Sequence, residues 1–133
     1  MGVGFSADGK LLASAGADNV VKIWDYAKGE QARTIANAAT KQLTALAFLP
    51  KKSEFLTVSG DSQIRRWNTN GGNTRNYSTS DFLYSVAVSS DGAVVAAGGQ
   101  DGSVKLYNGN SGALIKSLLP PEAETKPMPM PKK

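Results

Sequence analysis

A chain of 133 residues holds one ordinary domain and is too short for two well-packed ones. It is 41% apolar and 20% charged, which suits a folded chain, and no apolar run approaches the roughly 20 residues of a membrane-spanning helix. It has no cysteine and no histidine, which removes disulfides, thiolate and imidazole metal sites, cysteine nucleophiles and serine–histidine triads; its formal charge of +4 is scattered in short pairs such as Lys51-Lys52 and Arg65-Arg66.

The N-terminus has no basic stretch leading into an apolar core, so no secretory signal is visible and the cytoplasm is the default address. A short strand, Val3-Gly4-Phe5, is followed by an Asp8-Gly9 turn, and strands follow at 11–16 and 20–24 around the turn Ala17-Asp18-Asn19. After Lys28-Gly29 a fourth strand falls near 32–36. The same order then returns: strands at 43–48, 55–59 and 63–67 around Gly60-Asp61, and one near 74–78 after Gly71-Gly72. It returns again with strands at 83–88, 94–98 and 103–107 around Asp101-Gly102, and one near 113–118 after Ser111-Gly112. These segments are rich in valine, isoleucine, leucine, threonine and aromatics, and no helix with an apolar stripe and caps is found. From residue 119 the alternation stops. Residues 120–133 hold five prolines, and 119–133 is expected to be an extended or disordered tail.

The three copies share two spacings. Phe5 to Asp18, Phe48 to Asp61 and Val88 to Asp101 are each 13 residues, and Asp18 to Trp24, Asp61 to Trp67 and Asp101 to Tyr107 are each 6. The period is 43 and then 40 residues, with all slippage after the aromatic, where a surface loop absorbs it.

Trp24-Asp25 after Val-Val-Lys-Ile, preceded by an aspartate turn and a Phe-Ser-Ala-Asp-Gly hairpin, resembles a WD repeat. Repeats two and three end in Trp67-Asn68 and Tyr107-Asn108 instead. The resemblance implies an all-β fold of three four-stranded antiparallel blades of a β-propeller, at about 3–36, 43–78 and 83–118, with the first inner strand truncated. The family links a turn aspartate, a loop histidine, a strand hydroxyl and the tryptophan N–H. Carried over here, the aspartates are Asp18, Asp61 and Asp101, the hydroxyls Ser14 and Thr57 with Ala97 in third place, and the aromatics Trp24, Trp67 and Tyr107. The histidine is missing everywhere, and the loop before repeat two reads Asn37-Ala38-Ala39-Thr40, so incomplete networks and turn-capping aspartates are expected. Arg66 takes the place of Ile23 and Leu106, where a charge either snorkels to water or pairs across a blade interface.

Propellers have about four to eight blades, so three make an open arc rather than a closed ring, with an apolar face at each end. The arc is expected to be a piece of a larger propeller or to complete a ring by joining copies of itself. The functional expectation is a non-catalytic scaffold for a protein partner, with Lys41, Gln42, Asp81, Phe82 and Gln100 as candidate contacts. Phe82 is read either as an exposed anchor or as core. The alternative is a propeller module of a multidomain bacterial-type enzyme whose catalytic part lies outside this chain. No catalytic residue, cofactor or metal site is expected, and Glu30 and Glu54 have no evident partner. Nucleic acid and membrane are not the expected partners.

Overall fold

The computed structural model describes residues 1–79 and 81–119, and the expected tail lies outside them from Pro120 onward. Twelve strands run in chain order: β1 Gly2–Phe5, β2 Leu11–Ala15, β3 Val21–Asp25, β4 Glu30–Ile35, β5 Leu43–Phe48, β6 Glu54–Ser59, β7 Gln63–Asn68, β8 Asn73–Ser78, β9 Leu83–Val88, β10 Val94–Gly99, β11 Val104–Asn108 and β12 Leu114–Leu118. They form three four-stranded sheets, β1-β2-β3-β4, β5-β6-β7-β8 and β9-β10-β11-β12, each antiparallel throughout. No helix occurs among the described residues, and no sheet closes on itself. The architecture is an all-β open arc of three blades.

Local chemistry explains the matching blades. The first and third open with the same Ser-x-Asp-Gly hairpin. Ser6 Oγ donates to Asp8 Oδ1 at 2.7 Å, and Asp8 accepts the Lys10 amide at 2.9 Å. Ser89 donates to Asp91 at 2.7 Å, and Asp91 accepts the Ala93 amide at 3.0 Å. The glycine that follows takes a left-handed conformation at φ 74° and 76°, at no side-chain cost. The middle blade turns on Pro50-Lys51 instead, with Lys51 left-handed at φ 61°.

The residue after each aromatic has a second task. Asn68 Oδ1 accepts the amides of Asn70 and Gly72, Asn108 Oδ1 those of Asn110 and Ser111, and Asp25 Oδ1 that of Lys28. An amide oxygen caps this turn as well as a carboxylate does, so asparagine serves where the first repeat has aspartate. A register shift lies immediately before each aromatic, at Ile23/Trp24, Arg66/Trp67 and Leu106/Tyr107, where the outermost strand joins.

The middle sheet is packed on both faces. Strand alternation sends Phe55 and Trp67 one way and Leu56, Val58 and Ile64 the other. The first set joins Ala13, Ala15, Val21, Ile23 and Ile35 of blade 1 in one core. The second joins Leu83, Val95, Ala97 and Tyr107 of blade 3 in another. Each large side chain so buried contributes roughly 1.5–3 kcal/mol, which is what holds separate sheets together.

Candidate functional site

The turns carrying Asp18, Asp61 and Asp101 share one rim with the segments that lead into β5 and β9. In the middle blade this rim is tied by one carboxylate. Asp61 Oδ2 accepts the amide of Thr40 at 2.9 Å and its hydroxyl at 3.1 Å. Asp61 Oδ1 accepts the Ser59 hydroxyl and the Gln63 amide, and Arg65 bridges to the carboxylate at 2.9 Å. Burial alone pushes Asp61 up, but the Arg65 and Ser59 hydrogen bonds outweigh it and hold the group well below the usual carboxylate range. Thr40, in the loop that lacks a histidine, supplies the donors. Trp67 Nε1 donates to Thr57 Oγ1 at 3.0 Å, a separate pair that does not touch the aspartate.

The other blades are tied differently. In blade 1, Trp24 Nε1 reaches Ser14 at 3.3 Å, and among the described residues Asp18 accepts only the amide of Val20, two residues on in its own turn. In blade 3, Ala97 offers no hydroxyl, and the buried Tyr107 ring stacks near Tyr77 at 5.9 Å instead. The Ser103 amide and hydroxyl, with lesser help from Lys105, lower Asp101 to about 2. The backbone of Asp101 donates to Asp81 Oδ2 at 2.9 Å, and Asp81 Oδ1 accepts the amide of Phe82 at 2.8 Å.

These bonds bring the candidate contact residues into one patch. The Gly60 amide donates to the Gln42 carbonyl at 3.1 Å, and the Gln100 amide donates to the Phe82 carbonyl at 2.9 Å. The Phe82 ring bridges the two groups, lying over Gly60 so closely that a Cβ there would enter the ring. Phe82 is therefore half-buried, neither a free anchor nor core. Its ring stacks with Tyr84 at 5.0 Å, and Tyr84 is exposed. Lys41 and Gln42 stand exposed beside them, with Asp81 half-buried and Gln100 exposed. Tyr84 is the part of the patch that strand alternation leaves undecided, because it sits where β9 shifts register against β10.

Arg66 follows neither sequence reading: it is buried rather than reaching water, its ion pair lies within its own blade, and only a hydrogen bond crosses to the next blade. Its guanidinium pairs with Glu54 of its own blade at 2.6 Å and donates to the Gly109 carbonyl of blade 3 at 2.7 Å. Tyr77 donates to the same carbonyl at 3.0 Å. The partner of Glu54, not evident from the sequence, is thus Arg66, two residues along β7 from its cross-strand neighbour Asn68. Among the described residues no three acidic side chains gather as a metal site, and no helix is long and apolar enough to cross a membrane.

The family description "WD domain, G-beta repeat" matches residues 1–25 and 73–108. The second match starts on β8 of the middle blade and ends on β11, so the sequence unit straddles two blades. The chain is 30% identical over 117 residues to Protein tipD of Dictyostelium discoideum, covering 86% of this chain and 19% of that protein. It is 42% identical over 72 residues to WD repeat-containing protein slp1 of Schizosaccharomyces pombe, covering 50% of this chain and 14% of that protein. It is 39% identical over 66 residues to Actin-interacting protein 1 of Drosophila melanogaster, covering 49% and 11%. The chain thus spans less than a fifth of the length of each of these relatives. Spacing, blade architecture and sequence similarity agree: this chain belongs to the WD-repeat family and forms three blades of its β-propeller.

Proposed function

We propose that the chain is a non-catalytic protein-interaction scaffold whose contact surface is the rim patch of Lys41, Gln42, Asp81, Phe82, Tyr84 and Gln100. The observation that carries this reading is the exposed Tyr84 stacked on Phe82, an aromatic pair ringed by polar side chains. Aromatics in such settings are the usual anchors of protein interfaces. The Gln100–Phe82 backbone bond and the seat over Gly60 hold the Phe82 ring in place, so binding costs little ordering. One relative is named for interacting with actin, and the general role of a protein binder is extended to this chain from that kinship. In the same reading the arc works within a larger ring, its end faces covered.

The test is affinity capture with three baits: the unaltered chain, Tyr84→Ser, and Lys51→Glu on the opposite rim. A protein held by the first and third baits and lost tenfold or more by the second supports the patch. Equal capture by all three, or loss with Lys51→Glu alone, overturns it.

A further inference from the structure

Each interface inside the arc joins an unlike pair of faces. The leading face of a blade carries the aromatic that closes the motif. The trailing face carries the apolar residues between. Blade 2 shows its leading face to blade 1 and its trailing face to blade 3. Among the described residues, what remains uncovered is one leading face on blade 1 and one trailing face on blade 3.

Register identifies the free residues. On trailing faces, Val21 pairs with Ile35, Ile64 with Tyr77 and Val104 with Leu118. Val21 and Ile64 are 0% exposed, and Val104 is 37% exposed; Ile35 and Tyr77 are 8% and 2% exposed, and Leu118 is 42% exposed. Ala96 and Leu106 stand beside Val104 on the same face, neither charged. On leading faces, Phe48 and Val88 are partly buried in the cores, while Phe5 in the same register is 59% exposed. Val3, Leu12 and Trp24 lie next to it in the ladder.

The outer edge repeats the pattern. A basic side chain of the trailing blade reaches the turn at the outer edge of the next. The Arg33 side chain comes to 3.1 Å of the place a Cβ would take on Gly71, and Arg75 donates to the Ser111 carbonyl at 3.1 Å. Lys116 holds their register, opposite Leu106 as Arg33 is opposite Ile23 and Arg75 opposite Arg66. Blade 1 has the matching turn, with Gly29 left-handed like Gly71 and Gly112, and nothing lies within 4 Å of its Cβ position.

We propose that the trailing face of blade 3 in one copy of this chain binds the leading face of blade 1 in a second copy, with Val104, Leu106 and Leu118 packing on Phe5, Leu12 and Trp24 and Lys116 over the Tyr26–Gly29 turn. The contact is heterologous and reuses a geometry the chain already forms twice, so it closes a ring or extends without new chemistry. It does not depend on the rim patch, which lies on a different surface. Isolated apolar faces of this kind are rare on monomers, and burying their large exposed side chains favours association.

The experiment uses two single-face variants, Phe5→Lys and Val104→Lys, each measured by light scattering after size exclusion alongside the unaltered chain of 13.9 kDa. Circular dichroism checks that each keeps its strands, which the exposure of both positions favours. The unaltered chain is expected at twice its monomer mass or a higher discrete multiple. Every head-to-tail contact needs both faces, so each variant alone is expected to be monomeric. Mixed in equal amounts, the two restore one intact contact, giving a 1:1 heterodimer that native mass spectrometry resolves. Like charges on the blocked faces stop it from growing. A monomeric unaltered chain overturns the proposal. So does self-association by either variant alone, which marks like-face stickiness, or a mixture that stays monomeric.

Discussion

Trp24 and Trp67 end the same six-residue spacing from a turn aspartate, yet they live in different surroundings. Trp67 is buried against blade 1, and its turn is closed by a carboxylate with partners on three sides. Trp24 is half-buried on an end face, and Asp18 holds only its own turn. The motif therefore sets the shape of a blade, and the neighbouring blade decides how much that shape contributes to stability. In a repeat architecture, stability is the sum of what each unit holds and what each interface adds.

The sharpest way to break this comparison is to cut the same position in both blades. Phe55 and Leu12 are register equivalents, each facing the closing tryptophan across the sheet. Phe55→Ala opens a cavity in a closed interface and is expected to cost about 3–5 kcal/mol. Leu12→Ala, made in the Val104→Lys background so that the end face stays open, is expected to cost about 1 kcal/mol, since water already reaches the site. Denaturant unfolding measures both. Equal losses would mean that the end blade is as tightly held as the middle one.

The turn carboxylates make the second cut. Asp61→Asn removes the charge that Thr40, Ser59 and Arg65 converge on, with an expected loss of roughly 2–3 kcal/mol. Asp18→Asn keeps an acceptor for one exposed turn amide and is expected to cost under about 0.5 kcal/mol. Acid adds a second readout. Asp61 is held below its unfolded value, so the folded state releases its proton more readily. Its contribution is full above about pH 4 and is lost as the pH falls through the lower folded value. The unaltered chain should lose stability more steeply below about pH 4 than Asp61→Asn does. Parallel acid unfolding curves would show that the hub carries no linkage.

Most of the fold was legible because turn residues and strand alternation repeat at fixed spacing, and three copies expose a pattern that one would not. Boundaries moved by a residue or two, as at β4, which starts at Glu30 rather than near 32. The rim was less legible. Thr40 replaces a histidine with a backbone amide and a hydroxyl, and no side-chain pattern announces an amide. Glu54 and Arg66 meet because antiparallel pairing places them on adjacent strands two residues out of register, diagonally on one face, a contact that depends on register rather than on motif. The placing of Phe82 depended on a neighbour from another blade. Gly60 lacks a side chain, and the ring takes that space. An absence in one repeat shaping a residue in the next is invisible to a reading that takes repeats singly.

The smallest expected effect tests the comparison at one residue. The position after each turn aspartate is left-handed in all three blades, at φ 66° for Asn19, 70° for Ser62 and 82° for Gly102. Glycine suits that conformation, and only blade 3 uses it. In blade 1 the Asn19 carbonyl accepts the Ala38 amide at 2.8 Å, but its side-chain oxygen is buried with no partner among the described residues. Asn19→Gly removes an unsatisfied acceptor and the left-handed penalty, together more than the roughly 0.5–1 kcal/mol that glycine's unfolded freedom costs. The net expectation is a gain of about 1 kcal/mol, read as a rise in the denaturant midpoint with an unchanged slope. Ser62→Gly, where no orphaned atom is relieved, should fall closer to zero. If Asn19→Gly destabilises the chain, the amide is tying its turn through a bound water, and the first blade's rim is anchored as firmly as the second's.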